Sequence, residues 1–377
     1  MRRVIFVFLL TLILNSCSTK TDVITNLIVY PKGSEWLVEY KINEKTKKIP
    51  MKFPIFADYK SEYNFYKKDI ETKSRLYDSI AFSNKGLITC ITKNGRNIKI
   101  YKLSHSERKF VTNLVTLPAD HSALTIVMRN NILFVGGKGK SEVLGYYNLD
   151  VPDPKWNPIS IPDELIKYGK AIDDLLLIDN YLVVVDNIVV PKWILKYDIS
   201  NPVKPFLSTI QELDSHGTYE EITKSCHKDN HFFILSNTSS PAGTIEHISL
   251  LDSVFNEIGY FSNEIRHKNR NEYLNDSNEI FYSWNSIEVI DNFLLIPSDN
   301  KGLGILNLSK IDLNKNGLKK AKEEIIYTKL SNNQNSKVLN VLTFPNYDKI
   351  VVVMSINGIF RTKELSINDI EKIIKDS

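Results

Sequence analysis

The chain has 377 residues, 42% of them hydrophobic, and 48 Lys and Arg face 44 Asp and Glu for a formal net charge of +4. So balanced a composition gives no bulk electrostatic case for nucleic acid, and no partner of that kind is expected. Beyond the first seventeen residues no apolar stretch approaches the roughly 20 that span a bilayer, so the rest is expected to fold outside the membrane.

Met1, Arg2 and Arg3 form a positive start, and Val4 to Leu14 is apolar apart from Thr11. That run is too short to span a bilayer and has the length of a signal-peptide core. It ends in Leu14-Asn15-Ser16-Cys17, which resembles the lipobox of bacterial lipoproteins. The resemblance implies a signal peptide over residues 1–16, cleavage before Cys17, acylation of that cysteine, and a lipidated tether over 17–22. Ser18 occupies the place of the Asp that retains many lipoproteins in the inner membrane, so the outer membrane is favoured. Loss of Arg2 and Arg3 lowers the formal charge from +4 to +2. In an exported chain disulfides are allowed, but Cys90 and Cys226 sit in apolar runs and are expected as two buried free thiols.

From residue 23 onward the pattern is one of short strands separated by turns, and it repeats. The clearest copy lies in Asp173 to Gln211: an apolar run to Asp179, a turn at Asp179-Asn180, a β-branched run to Asp186, an alternating strand to Ser200, a break at Asn201-Pro202, and a fourth strand over Phe206 to Ile210. Four such strands make one propeller blade. Third-strand endings of the same kind occur at Asn43, Ser104, Asp150, Leu250, Ser309 and Leu365, and with Ser200 included the endings from Ser104 onward lie 46, 50, 50, 59 and 56 residues apart. The turn before each second strand keeps pace at Asn84, Asn131, Asn180, Asn230, Asn292 and Asp348. A period near 50 predicts an all-β fold, a single β-propeller over 23–377 with repeats near 23–60, 75–118, 121–162, 171–211, 218–262, 283–330 and 337–367. Seven blades are the first reading and six the second. A polar insertion over Asn263 to Asn278, a charged helical stretch over Leu318 to Glu324 and a short C-terminal helix over Ile367 to Lys375 depart from the repeat.

Tyr181-Leu182-Val183-Val184-Val185-Asp186 followed by Tyr197-Asp198-Ile199-Ser200-Asn201-Pro202 is similar to the LVIVD-type repeat of bacterial surface propellers. The resemblance covers one repeat, implies the same fold, and implies hardly any chemistry.

Few catalytic signatures occur. Gly136 to Ser141 ends like a phosphate loop, but Phe134 stands at the required first glycine and no helix follows, so a hairpin tip is expected. Cys226 and His227, with His231 across the turn, could approach one ion only if they pointed the same way; strand alternation sets Cys226 and His227 on opposite faces, and no metal or other cofactor is expected. In a propeller the loops leading into first strands and the hairpins between second and third strands share one face. Those hairpins hold Lys93, Arg96, Lys138, Lys140, Lys192 and Lys301, and Tyr282 and Trp284 lie in a leading loop. Cations and aromatics around a concave mouth suit an anionic glycan, peptide or lipid headgroup. The leading expectation is therefore a monomeric, lipid-anchored binding or scaffolding module with a protein or anionic glycan partner. The competing one is a glycan-cleaving enzyme using His121, His216 and one of Glu220 or Glu221, since His with a carboxylate partner makes a general base. Neighbouring strand residues face oppositely, so at most one of those glutamates lines the channel. A third is a structural partner in an envelope complex, contacting through the Asn263 to Asn278 insertion.

Overall fold

The computed structural model describes residues 24–32, 35–42, 45–51, 80–83, 86–92, 95–104, 109–139, 142–165, 170–186, 192–213, 220–240, 243–266, 284–298, 301–313, 315–333, 336–344, 347–357 and 359–377. They form seven antiparallel blades arranged in a ring. Blade 1 is β1 (Ile24–Lys32), β2 (Glu35–Ile42) and β3 (Lys45–Met51); blade 2 is β4 (Ile80–Phe82), β5 (Leu87–Ile91), β6 (Asn97–Ser104) and β7 (Lys109–Thr116). Blade 3 is β8 (Ser122–Arg129), β9 (Ile132–Gly139), β10 (Leu144–Asn148) and β11 (Asn157–Pro158); blade 4 is β12 (Lys170–Ile178), β13 (Tyr181–Asp186), β14 (Lys192–Asp198) and β15 (Phe206–Leu213). Blade 5 is β16 (Glu220–Lys228), β17 (His231–Ser240), β18 (Gly243–Leu251) and β19 (Glu257–Arg266); blade 6 is β20 (Glu288–Ile290), β21 (Phe293–Ser298), β22 (Gly302–Asn307) and β23 (Ile326–Thr328). Blade 7 is β24 (Ser336–Phe344), β25 (Lys349–Ile356) and β26 (Ile359–Leu365). Two helices interrupt the pattern, α1 (Lys315–Ala321) and the C-terminal α2 (Ile367–Asp376). The seven-bladed reading holds, the six-bladed one does not, and the terminal helix lies where expected.

Second strands carry the strongest apolar signal for a physical reason. Both faces of a blade are covered by its neighbours, so β5 and β21 are buried at every position, whereas the outer strand β15 alternates between exposed and half-buried residues until buried Leu213 at its end. The core follows from this. Seven clusters of described residues each span one interface between adjacent blades, including Cys90 with Trp36 between blades 1 and 2 and Cys226 with Trp284 between blades 5 and 6. Both cysteines are free and buried, as expected.

Turns between first and second strands require left-handed backbone, and Asn130, Asn131, Asp179, Asp229, Asp291 and Asp348 supply it with φ between 46° and 68°. In three turns the left-handed residue is thus an aspartate one position ahead of the asparagine that the sequence pattern marks; Asn84 lies outside the described residues. Neighbouring blades grip these turns. Arg129, ending β8, donates to the Asp179 carbonyl and to Asn180 Oδ1, and Lys228, ending β16, donates to the Asp291 carbonyl at 2.7 Å and Asn292 Oδ1 at 2.6 Å.

Candidate functional site

Strand polarity defines the face to examine. Every first strand begins, and every second-to-third hairpin turns, at one end of the ring: Ile24 pairs with Ile42, which pairs with Lys45, and Ser122 pairs with Lys138. First-to-second turns, the end of β26 and helix α2 lie at the other end, where the Ile367 amide donates to Asp348 Oδ1 at 2.8 Å.

On the hairpin face, blades 2 and 3 interlock. Gly95, with φ +66°, accepts from the Ala123 amide at 2.7 Å, and a Cβ there would stand 2.3 Å from Ser122 Oγ. Only glycine brings the hairpin that close. Arg96 next to it and Lys138 opposite Ser122 are both exposed, so two cations flank Ser122 on adjoining blades. Asp120 and Glu142 are the exposed acids beside them.

His121 is buried at 1% exposure beneath this hairpin. Its Nδ1 lies 2.5 Å from the Glu142 carbonyl, its ring packs edge-on at 4.9 Å against Trp156, and Trp156 Nε1 donates to Glu142 Oε2 at 2.8 Å. Its Nε2 has no hydrogen-bond partner among the described residues and faces Gly137, where a Cβ would lie 2.7 Å away. Burial pushes the imidazole below its ordinary value against the opposing pull of the Glu142 carbonyl and Asp120. The geometry is that of a neutral ring holding a loop.

Lys192 is also buried, at 3% exposure, and lines a cavity of about 20 Å³ between blades 4 and 5 with Ser236, Ser249 and Glu257, room for about one water. Trp284 is fully buried: its indole N–H donates to Tyr327 Oη and its amide to Glu246 Oε1, both at 2.9 Å. Exposed Lys301 sits 4.8 Å over the same Tyr327 ring. Cys17, Lys93, Lys140, His216 and Tyr282 lie outside the described residues, as does most of the Asn263 to Asn278 stretch, and of Glu220 and Glu221 only the backbone in β16 is described.

Two polar groups of this ring have no counterpart in the sequence reading. Glu246 is wholly buried in β18 and also accepts from Asn263 Nδ2 at 2.9 Å. Asp174 in β12 accepts from Ser225 of the next blade through its amide at 2.8 Å and its hydroxyl at 2.5 Å, with Lys224 at 3.6 Å. A carboxylate inside an otherwise apolar strand is the one signal that marks such residues, since a charge is buried only when paired.

No protein-family model matches the chain, and no curated protein matches it in sequence. Among solved structures it is similar to the Dos1 propeller, at 11% identity and a TM-score of 0.50 over 90% of this chain and 77% of that one. It is also similar to the WD40 propeller domain of Doa1, at 10% identity and 0.46 over 91% and 93%, and to Sqt1 of Saccharomyces cerevisiae, at 8% identity and 0.47 over 92% and 97%. At such identities the likeness shows the β-propeller fold alone.

Proposed function

We propose that this protein is a lipid-anchored β-propeller of the bacterial outer membrane that binds or scaffolds an anionic partner through its hairpin face. The observation that carries this reading is the pair Arg96 and Lys138, exposed on adjoining blades and fixed in relative position by the Gly95–Ala123 contact. Two cations held by a rigid scaffold suit a sulfate, phosphate or carboxylate group. The Leu14 to Cys17 motif supports the anchor. Burial of His121 leaves a general base at that position without access to a ligand on the face, which favours binding over glycan cleavage.

The test is retention of the mature protein on a sulfated polysaccharide at low ionic strength. The double variant Arg96→Glu with Lys138→Glu is expected to weaken retention several-fold while keeping the wild-type melting temperature; unchanged retention would remove this face as the binding surface. Cys17→Ser is expected to abolish palmitate incorporation and release the protein from membranes.

A further inference from the structure

Strand polarity fixes which face of the propeller meets the membrane. β1 is the innermost strand of blade 1, and its first residue, Ile24, lies at the hairpin end of the ring beside Ile42 and Lys45. On the lipoprotein reading, on which this inference rests, only residues 17–23 separate the acylated cysteine from that point. Seven residues at about 3.3–3.6 Å each reach at most about 25 Å. A strand of eight residues at about 3.3 Å is itself about 26 Å tall. To present the opposite face, the tether would have to cross the tops of β2 and β3, at about 4.8 Å per strand, and then descend the full height of the blade, which exceeds its contour length.

The two faces also differ in charge. The tethered end carries exposed Lys45, Arg96, Lys138 and Lys301 on its hairpins against Glu142, with Asp120, Asp163 and Glu212 in the loops between blades. Turns at the far end carry exposed Asp150, Asp153, Asp179, Asp229, Asp291 and Asp348 against exposed Lys32, Lys155, Lys204 and Lys310. We infer that the hairpin face is held against the bilayer, and that its partner is the phosphate of anionic lipid headgroups in the leaflet that holds the anchor. Bilayers with anionic headgroups attract cations within about a Debye length of the surface. The acidic face, with α2, then points away from the membrane.

The experiment uses the mature acylated protein in vesicles of phosphatidylcholine with phosphatidylglycerol, and of phosphatidylcholine alone. Thr46→Cys places a fluorophore on the hairpin face and Ser253→Cys one on the far face; both positions are exposed, and native Cys90 and Cys226 are buried. Quenching by spin-labelled headgroups is expected to be several-fold stronger at position 46 than at 253. It should weaken in vesicles lacking phosphatidylglycerol and on Arg96→Glu with Lys138→Glu. Equal quenching, or stronger quenching at 253, overturns the orientation. A preference for position 46 that ignores both phosphatidylglycerol and charge reversal overturns the headgroup as partner. Absence of acyl mass on Cys17 removes the lipoprotein reading and this inference together, whereas an acylated, vesicle-bound protein with the wrong labels quenched removes the inference alone.

Discussion

His121 owes its state to three contacts that all disfavour charge: the wall of Gly137, the edge of Trp156 and an Nε2 with no acceptor facing it among the described residues. With the folded value held below the ordinary 6.5, the unfolded chain binds a proton more readily once the pH falls beneath 6.5. Stability contributed by the neutral ring is therefore complete above 6.5 and is lost as the pH drops below it. His227, whose burial also lowers its value, acts in the same direction. His121→Gln keeps a donor for the Glu142 carbonyl and removes the titration, so its melting temperature is expected to fall less steeply than that of the wild type between about pH 7 and pH 5. Parallel curves for the two proteins would show that His121 is not held neutral. The position of His121 in a loop leading to a first strand is readable from the sequence; its burial is not, because the covering groups come from a hairpin and from Trp156, just before the outer strand, more than fifteen residues away. The same holds for Trp284, which reads as a face aromatic until the packing of blade 5 against blade 6 places its indole beside Tyr327.

At the level of elements, β10 shows how one missing side chain organises a blade. A Cβ on Gly145 would lie 2.4 Å from Trp156 Cζ2, so the ring packs this close to the strand only because position 145 is bare. Gly145→Val is expected to displace Trp156 and with it the hydrogen bond to Glu142 and the contact with His121. The cost is about 2 kcal/mol, that of overpacking a filled site, read as a lowered urea midpoint and a red-shifted tryptophan emission. Unaltered emission would mean that the ring has room to move. The period of the blades is legible because second strands are covered on both faces and so become unbroken apolar runs. What escapes is the register. The innermost strands of blades 3, 4, 5 and 7 shift between Ala123 and Thr125, Ile172 and Asp174, Ile222 and Lys224, and Val338 and Asn340. An inserted residue of this kind bends the strand without changing its composition, so no hydropathy pattern reveals it.

For the whole molecule the decisive junction is the one that closes the ring. Blades 1 and 7 each show three strands among the described residues and share no sheet, so closure rests on side chains: Ile28, Tyr30 and Leu37 pack against Val351. Over this small cluster Lys349 Nζ lies 2.8 Å from Glu39 Oε2 and 3.1 Å from Tyr30 Oη, and Tyr30 donates to the same carboxylate at 2.9 Å. Burial alone would raise the Glu39 carboxyl, but the hydrogen bonds from Lys349 and Tyr30 outweigh it and hold the group below its ordinary 4.5. The resulting stability is present above 4.5 and is lost as the pH falls through the depressed folded value. Lys349→Met leaves a largely buried carboxylate with half-exposed Lys48 at 3.3 Å as its cation and the Tyr30 hydroxyl as its other donor, and is expected to cost about 3 kcal/mol in urea unfolding. Adding Glu39→Gln should restore part of that loss, because the stranded charge disappears with it. If Lys349→Met instead unfolds at the wild-type midpoint, the apolar cluster alone closes the ring. No chain connection crosses this seam between the terminal blades, so the single variant should also speed hydrogen exchange in β1 and β25 ahead of the remaining first and second strands.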